Sequence, residues 1–85
     1  MYSESVKVAN IFAKYSNPIA QIVQNACAFD SEIHAQVNNR RVNLKSIMGI
    51  MAFEWKEGME VVVDAEGNDA EDAVKAICKY LLCEA

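Results

Sequence analysis

The spacing of apolar residues switches repeatedly between a period of two and a period of three to four, and this order restricts the possible folds most. A period of two places alternate side chains on opposite faces of a strand, whereas the longer period marks one face of a helix. Alternating segments predict strands at 2–8, 32–37, 40–44 and 59–65. Helical spacing predicts long helices from 18 to about 29 and from about 69 to 82, with a short helix after Ser46.

The two long predicted helices carry start signals. Ser16 or Asn17 can cap the first helix, and Pro18 fits its first turn because the missing N–H has no partner there anyway. Asn68 and Glu71 have the spacing of a capping box before the second helix. The expected apolar stripes are Ile19, Ile22, Val23, Ala26 and Phe29 in the first helix, and Ala70, Ala73, Val74, Ile77 and Leu81 in the second.

The order of elements predicts an α+β fold in a single domain, 1–85. Four strands with two long amphipathic helices on one face form a two-layer sandwich. Asn38 and Asn39 suit a tight turn between the second and third strands, since asparagine tolerates positive φ. Val62 interrupts the polar face of the last strand, which indicates a central strand partly covered on both sides.

Charge and hydropathy exclude some classes of function. The formal net charge is −4 and the pI is about 4.8, and there is no basic stripe, so direct nucleic-acid binding is not expected. No apolar run approaches the roughly 18 residues of a membrane span, so no membrane association is expected. The first residues lack the pattern of a signal peptide. We therefore expect a cytoplasmic protein.

Cysteine and histidine are too few for a metal site. The three cysteines, Cys27, Cys78 and Cys83, include no C-x-x-C pair. An odd number favours a reducing compartment, and we expect buried or half-buried, inert thiols. The single histidine, His34, leaves a zinc site short of ligands. No cofactor is expected. His34 alternates with core-facing residues and is predicted to be an ordinary exposed histidine of a strand.

The stretch from Val42 to Met51 begins as a strand and becomes a helix at Ser46, a favoured N-cap residue. Ile47, Ile50 and Met51 have the spacing of one buried stripe, and Met48 points elsewhere. Two interpretations stay open. The helix lies between the sheet and another helix and is buried all round, or its surplus apolar surface binds a partner.

The same ten residues, V-N-L-K-S-I-M-G-I-M, resemble the regulatory-serine motif of the HPr family, the histidine-containing phosphocarrier proteins of the bacterial sugar phosphotransferase system. A looser resemblance extends from about Val6 to Leu82. The resemblance implies an open-faced β-sandwich in which helices cover one face of a four-stranded antiparallel sheet, in the order βαββαβα.

The resemblance fails at the segment that holds the family's phosphoryl-accepting histidine. The family pattern is a small residue, an aliphatic residue, His, Ala, Arg and Pro, whereas this chain reads A-K-Y-S-N-P. Tyr15 stands at the histidine position and Asn17 at the arginine position. A phenol with a pKa of about 10 is a poor nucleophile at neutral pH, and an amide carries no charge to hold a phosphate. We therefore expect no catalytic residues in this chain.

Ser46 becomes the principal candidate for function. In the resembled family an ATP-dependent kinase phosphorylates a serine here, and the phosphoprotein binds a catabolite-control repressor. The family's catabolite-repression HPr subgroup keeps this serine without the histidine, as this chain does. The resemblance implies Ser46 as the phosphorylation site, with partner contacts at Lys45, Ile47, Met48 and Met51. The implied partners are an HPr-type serine kinase/phosphorylase, the repressor and, as a further class, phosphotransferase enzymes.

The sequence leaves other functions open. The chain lacks a nucleophile–base pair, a metal-ligand spacing and a phosphate loop, so we do not expect an enzyme. A phosphocarrier that uses Tyr15 or Ser16 as acceptor is one alternative. A degenerate paralogue that only docks one dedicated partner is another. Ser46 also has a purely structural role, because an N-cap contributes about 1 kcal/mol to a helix.

Overall fold

The structure is a computed structural model that describes residues 1–84. Its elements follow the chain as β1 (Tyr2–Lys7), α1 (Ile11–Lys14), α2 (Pro18–Cys27), β2 (Glu32–Val37), β3 (Arg40–Asn43), α3 (Ile47–Met51), β4 (Glu60–Glu66) and α4 (Ala70–Leu81). All four predicted strands and all three predicted helices are therefore present. The helix α1 was not predicted, because four residues are too few to give a periodic signal.

The four strands form one antiparallel sheet in the order β1-β4-β2-β3. Val6 of β1 pairs with Val61 of β4, and Ala35 of β2 pairs with Val63 on one side and Val42 on the other. Asn38 takes a φ of 55° in the turn between β2 and β3, as the sequence indicated. This arrangement confirms the predicted α+β open-faced sandwich.

The core lies between one face of the sheet and the helices. Along β1, β2 and β4 the buried residues alternate with more exposed ones, so one face of the sheet is covered. Helix α4 packs on β1, β4 and β2, while α2 packs on α4 and α3. The predicted stripe of α4 is buried throughout, and its members are Ala70, Ala73, Val74, Ile77 and Leu81.

Two local predictions differ from the structure because of tertiary packing. Helix α2 ends at Cys27, two residues before the predicted Phe29, which the chain buries only partly. Strand β4 is central, but Val62 keeps 40% of its surface exposed because no helix within the described residues covers the outer face of the sheet. Trp55 belongs to an irregular segment, yet its ring is buried beside Phe53 at a centroid distance of 5.4 Å.

The start of α4 uses a different cap from the predicted box. Asp69, and not Asn68, is its N-cap residue, and it makes no side-chain bond to its own helix. Its carboxylate instead accepts hydrogen bonds from the backbone N–H of Asp30 and from the N–H and hydroxyl of Ser31. Gly67 approaches so closely that an added Cβ would lie 2.6 Å from the Ser31 Oγ. This clasp joins the turn before β2 to the turn before α4.

Across residues 1–84, we find no helix whose length and hydropathy would allow it to cross a membrane.

Candidate functional site

Ser46 caps α3 in the way that the sequence predicted. Its Oγ accepts a hydrogen bond from the Gly49 N–H at 3.3 Å, and its backbone is extended, with φ −109° and ψ 117°. Asn43, at the end of β3, stabilises this turn with two hydrogen bonds. Its Oδ1 accepts from the Lys45 N–H at 2.8 Å, and its carbonyl accepts from the Ser46 N–H at 3.1 Å. The half-buried Ser46 hydroxyl thus lies at the positive end of α3.

The apolar side chains of α3 mostly point into solvent. Only Ile50 is buried, at 0% exposure, whereas Ile47, Met48 and Met51 are exposed to 48%, 81% and 68%. The predicted buried stripe of Ile47, Ile50 and Met51 is therefore wrong, and so is the interpretation that the helix is buried all round. We call Ile47, Met48 and Met51 the α3 patch. Scattered exposed apolar residues are common, but three on one five-residue helix form a concentrated apolar surface.

Buried anchors beneath α3 hold the patch in place. Ile50 lies in the core, and its carbonyl accepts a hydrogen bond from Trp55 Nε1 at 3.1 Å. On the other side, a Cβ added to Gly49 would lie 3.3 Å from the Asn43 carbonyl oxygen, so the helix approaches the end of β3 closely. These contacts fix α3 to the core and to the end of β3 although the helix has only five residues.

Lys45 lies beside Ser46 in sequence but its ammonium points to a different group. Lys45 Nζ donates to the Phe29 carbonyl at 2.6 Å, just beyond the end of α2. A cation there is favoured by the partial negative charge of a helix C-terminus. The side chain thereby connects the start of α3 to the end of α2, against which α3 also packs.

Tyr15 is packed into the protein and is not presented as a nucleophile. Its ring stacks on Tyr80 of α4 with centroids 4.0 Å apart and an interplanar angle of 11°. Its hydroxyl donates to the Tyr80 carbonyl at 3.1 Å. Burial, followed by the neighbouring Cys83, raises the pKa of Tyr15 above its ordinary value. A raised pKa reduces the phenolate fraction further, and no base faces the hydroxyl in these contacts.

Other side chains around Tyr15 complete a structural contact with the end of α4. Lys14 Nζ donates to the Cys83 carbonyl at 2.6 Å, and the Tyr80 hydroxyl donates to the side chain of Gln21. Asn17 is the N-cap residue of α2 but makes no side-chain capping bond. The roles of Tyr80 and Gln21 were not predicted, because residues 65 and 59 positions apart give no common sequence signal.

His34 lies on the outer face of the sheet beside an ion pair. Its Nδ1 is 4.0 Å from Asp64 Oδ1, and the same oxygen accepts from Arg41 at 2.7 Å. The His34 side chain is only 22% exposed, so the prediction of an exposed histidine was too simple.

The three thiols are free and separate. Cys78 is buried and Cys83 half-buried as predicted, whereas Cys27 is exposed at the end of α2. Burial raises the pKa of Cys78 to about 11, which keeps it protonated and unreactive. Within residues 1–84 no three acidic, histidine or cysteine side chains lie close enough to hold a metal ion.

Comparison with known proteins agrees with this fold. The family model for the PTS HPr component phosphorylation site matches residues 2–82. A phosphocarrier protein HPr from Bacillus anthracis is 34% identical with a TM-score of 0.86, and the match covers 94% of this chain and 95% of that one. HPr-C-His from Thermoanaerobacter tengcongensis is 37% identical with a TM-score of 0.86, over 95% and 91% of the two chains. The catabolite repression containing protein Crh of Bacillus subtilis is 31% identical with a TM-score of 0.77, over 94% and 87%.

Proposed function

Because this chain belongs to the HPr family, we propose that it is a regulatory member that has lost phosphohistidine carrier chemistry. In this proposal Ser46 is its phosphorylation site, and the α3 patch together with Lys45 is its protein-binding surface. It acts in the cytoplasm, in the carbon catabolite control linked to the bacterial sugar phosphotransferase system, and it is not itself an enzyme.

The observation that carries the proposal is the combination of Ser46 at the N-cap of α3 with the exposed apolar side chains of that helix. A phosphoryl group on Ser46 Oγ adds nearly two negative charges beside free N–H groups and the positive end of α3, where an anion is tolerated. The α3 patch already projects from the surface, so modification changes the charge at its edge without requiring the domain to unfold. Methionine side chains adapt to partners of different shape, which suits Met48 and Met51 to several complexes.

The surroundings of Tyr15 support the loss of carrier chemistry. An acceptor must present a nucleophilic atom to the donor, whereas the Tyr15 hydroxyl is bound to a carbonyl and its ring is stacked on Tyr80. Asn17 supplies no positive charge for a phosphate. These contacts also disfavour a phosphocarrier that uses Tyr15 as a replacement acceptor.

The proposed partners follow from the family and from the likeness to Crh. They are an HPr-type serine kinase/phosphorylase that modifies Ser46, a catabolite-control repressor that binds the modified protein, and phosphotransferase enzymes as a further class. Each is a protein, which agrees with an apolar patch on an acidic domain without a basic stripe.

Two phosphorylation reactions followed by mass mapping test the proposal. The protein is incubated with ATP and the HPr kinase/phosphorylase of the source organism, and separately with phosphoenolpyruvate and the first phosphotransferase enzyme. An HPr with an intact histidine serves as the positive control for both reactions, and Ser46→Ala serves as the control for the site. We expect acid-stable phosphate on Ser46 in the first reaction and none in the second. Stoichiometric acid-labile phosphate in the second reaction, or an unmodified Ser46 in the first, would refute the proposal.

A further inference from the structure

The ammonium of Lys45 connects the start of α3 to the end of α2 through one hydrogen bond. Lys45 and Phe29 are both half-buried, and Lys45 Nζ donates to the Phe29 carbonyl at 2.6 Å. This carbonyl is a neutral acceptor just beyond α2, where the partial negative charge of the helix end also attracts a cation. In the unmodified protein the charge of Lys45 is therefore bound to α2 and not to Ser46.

A second contact fixes the same turn independently of Lys45. The Asp69 carboxylate accepts hydrogen bonds from the N–H groups of Asp30 and Ser31, each at 2.9 Å, directly after Phe29. Ser31 is also buried, at 1% exposure. Loss of the Lys45 hydrogen bond alone would therefore leave the turn in place and free only the Phe29 carbonyl.

Phosphorylation of Ser46 brings a stronger acceptor within reach of Lys45. Consecutive Cα atoms lie about 3.8 Å apart, and the flexible stem of lysine is longer than this, so its ammonium can reach a group on the next side chain. A phosphoryl group carries nearly two negative charges and three acceptor oxygens. An ammonium that binds a carbonyl gains the attraction of a dipole, whereas one that binds a phosphate gains the attraction of full charges.

The helix α3 by itself offers such a phosphate little compensating charge. It has only five residues, Ile47–Met51, and none of them is basic. The N–H of Gly49 in this helix already donates to Ser46 Oγ. Lys45 is the basic residue nearest to Ser46 in the sequence, so we expect it to supply the counter-charge.

We propose that Lys45 is a two-position switch that responds to phosphorylation of Ser46, and this inference rests on the function proposed above. In the unmodified protein Lys45 binds the Phe29 carbonyl. In the phosphorylated protein it binds the phosphate and releases that carbonyl. The modification thus changes the surface at two places, since a paired phosphate appears beside the α3 patch and an unpaired acceptor appears at the end of α2.

The test uses the full chain with phosphoserine inserted in place of Ser46 during translation, so that no kinase is required. NMR spectroscopy measures the midpoint of the 31P titration of the phosphate and the 13C chemical shift of the Phe29 carbonyl. Lys45→Met removes the ammonium and keeps an apolar stem. Lys79→Met is the matched control, because Lys79 is exposed on α4. Urea unfolding checks that each variant is folded.

We expect Lys45→Met to raise the 31P midpoint by about 0.4 pH unit, because the ammonium favours the dianionic phosphate. Lys79→Met should leave the midpoint within about 0.1 pH unit of its value in the phosphorylated protein without this substitution. Phosphorylation should also move the Phe29 carbonyl resonance to the position that it has in unmodified Lys45→Met. In the Lys45→Met background, phosphorylation should leave that resonance nearly unchanged.

The switch is overturned if phosphorylation leaves the Phe29 carbonyl resonance where it is, or if Lys45→Met leaves the 31P midpoint unchanged. Either result would mean that Lys45 stays on α2. The proposed function is tested separately, since a kinase that fails to modify Ser46 would refute that proposal. The NMR comparison decides the position of Lys45 in both cases, because its phosphoserine does not come from the kinase.

Discussion

Met48→Ala and Ile50→Ala are two substitutions on one short helix that should have opposite consequences. Met48 keeps 81% of its surface exposed, so about a fifth of the roughly 1.5–3 kcal/mol of a fully buried methionine is at stake. Met48→Ala should therefore lower the free energy of unfolding by only about 0.3–0.6 kcal/mol. Ile50 is fully buried, and Ile50→Ala leaves a cavity, which should cost about 2–5 kcal/mol.

The two substitutions should affect partner binding in the opposite order, with the larger effect from Met48→Ala. If the α3 patch is the docking surface, Met48→Ala should weaken the complex with the kinase or the repressor by about 1–2 kcal/mol, or about 5–30-fold in Kd. Ile50 lies beneath the patch and touches no partner, so the folded fraction of Ile50→Ala should bind within a few-fold of wild type.

Urea titrations provide the stability measurement. Trp55 is the single tryptophan and is buried, so its fluorescence reports unfolding, and far-UV circular dichroism checks that the transition is two-state. Isothermal titration calorimetry against each partner provides Kd. If Met48→Ala costs more than about 1.5 kcal/mol of stability, or leaves every Kd unchanged, the assignment of Met48 to a docking surface is wrong.

Three further predictions concern Ser46, Tyr15 and Asp69. Ser46→Asp should keep stability within about 1 kcal/mol, since aspartate also caps helices; calorimetry should nevertheless detect a changed affinity for the kinase or repressor, and wild-type affinities would mean that Ser46 is only a cap. Tyr15→Phe should lower the free energy of unfolding by about 1 kcal/mol, because the hydrogen bond to the Tyr80 carbonyl is lost while the ring is kept. Unfolding experiments that show no loss would mean that this hydrogen bond does not contribute to stability. The Ser31 hydroxyl and the N–H of Asp30 lower the pKa of Asp69 below its ordinary value of 3.8. The ionised Asp69 therefore stabilises the fold at a pH above 3.8, and this stabilisation is lost as the pH falls through the folded-state pKa. The free energy of unfolding of Asp69→Asn should therefore fall less steeply below about pH 4 than that of wild type. The same dependence on pH in both proteins would contradict a stabilising role for the Asp69 hydrogen bonds.

Periodicity in the sequence was enough to predict the elements and their layers. Strand β2 has the predicted bounds, and the predicted stripe of α4 is buried, because alternation and helical spacing state directly which side chains share a face. The cap at Ser46 was also predictable, since a serine immediately before a helical segment acts on local backbone groups. The family resemblance supplied the antiparallel pairing.

The tertiary structure alone decided which faces are covered. Helical spacing places Ile47, Ile50 and Met51 on one face, but only Ile50 is buried in the core. The sequence pattern shows which side chains share a face, and it does not show whether another element covers that face. Asp69 binds Ser31, 38 residues away, in place of a local capping box, and Tyr15 stacks on Tyr80 from the far end of the chain. These contacts depend on where β4 and α4 bring distant segments together, and the local sequence does not indicate which distant segments meet. The exposure of α3 and the stacking of Tyr15 on Tyr80 are thus products of tertiary packing, whereas the helix α3 itself is a product of the sequence.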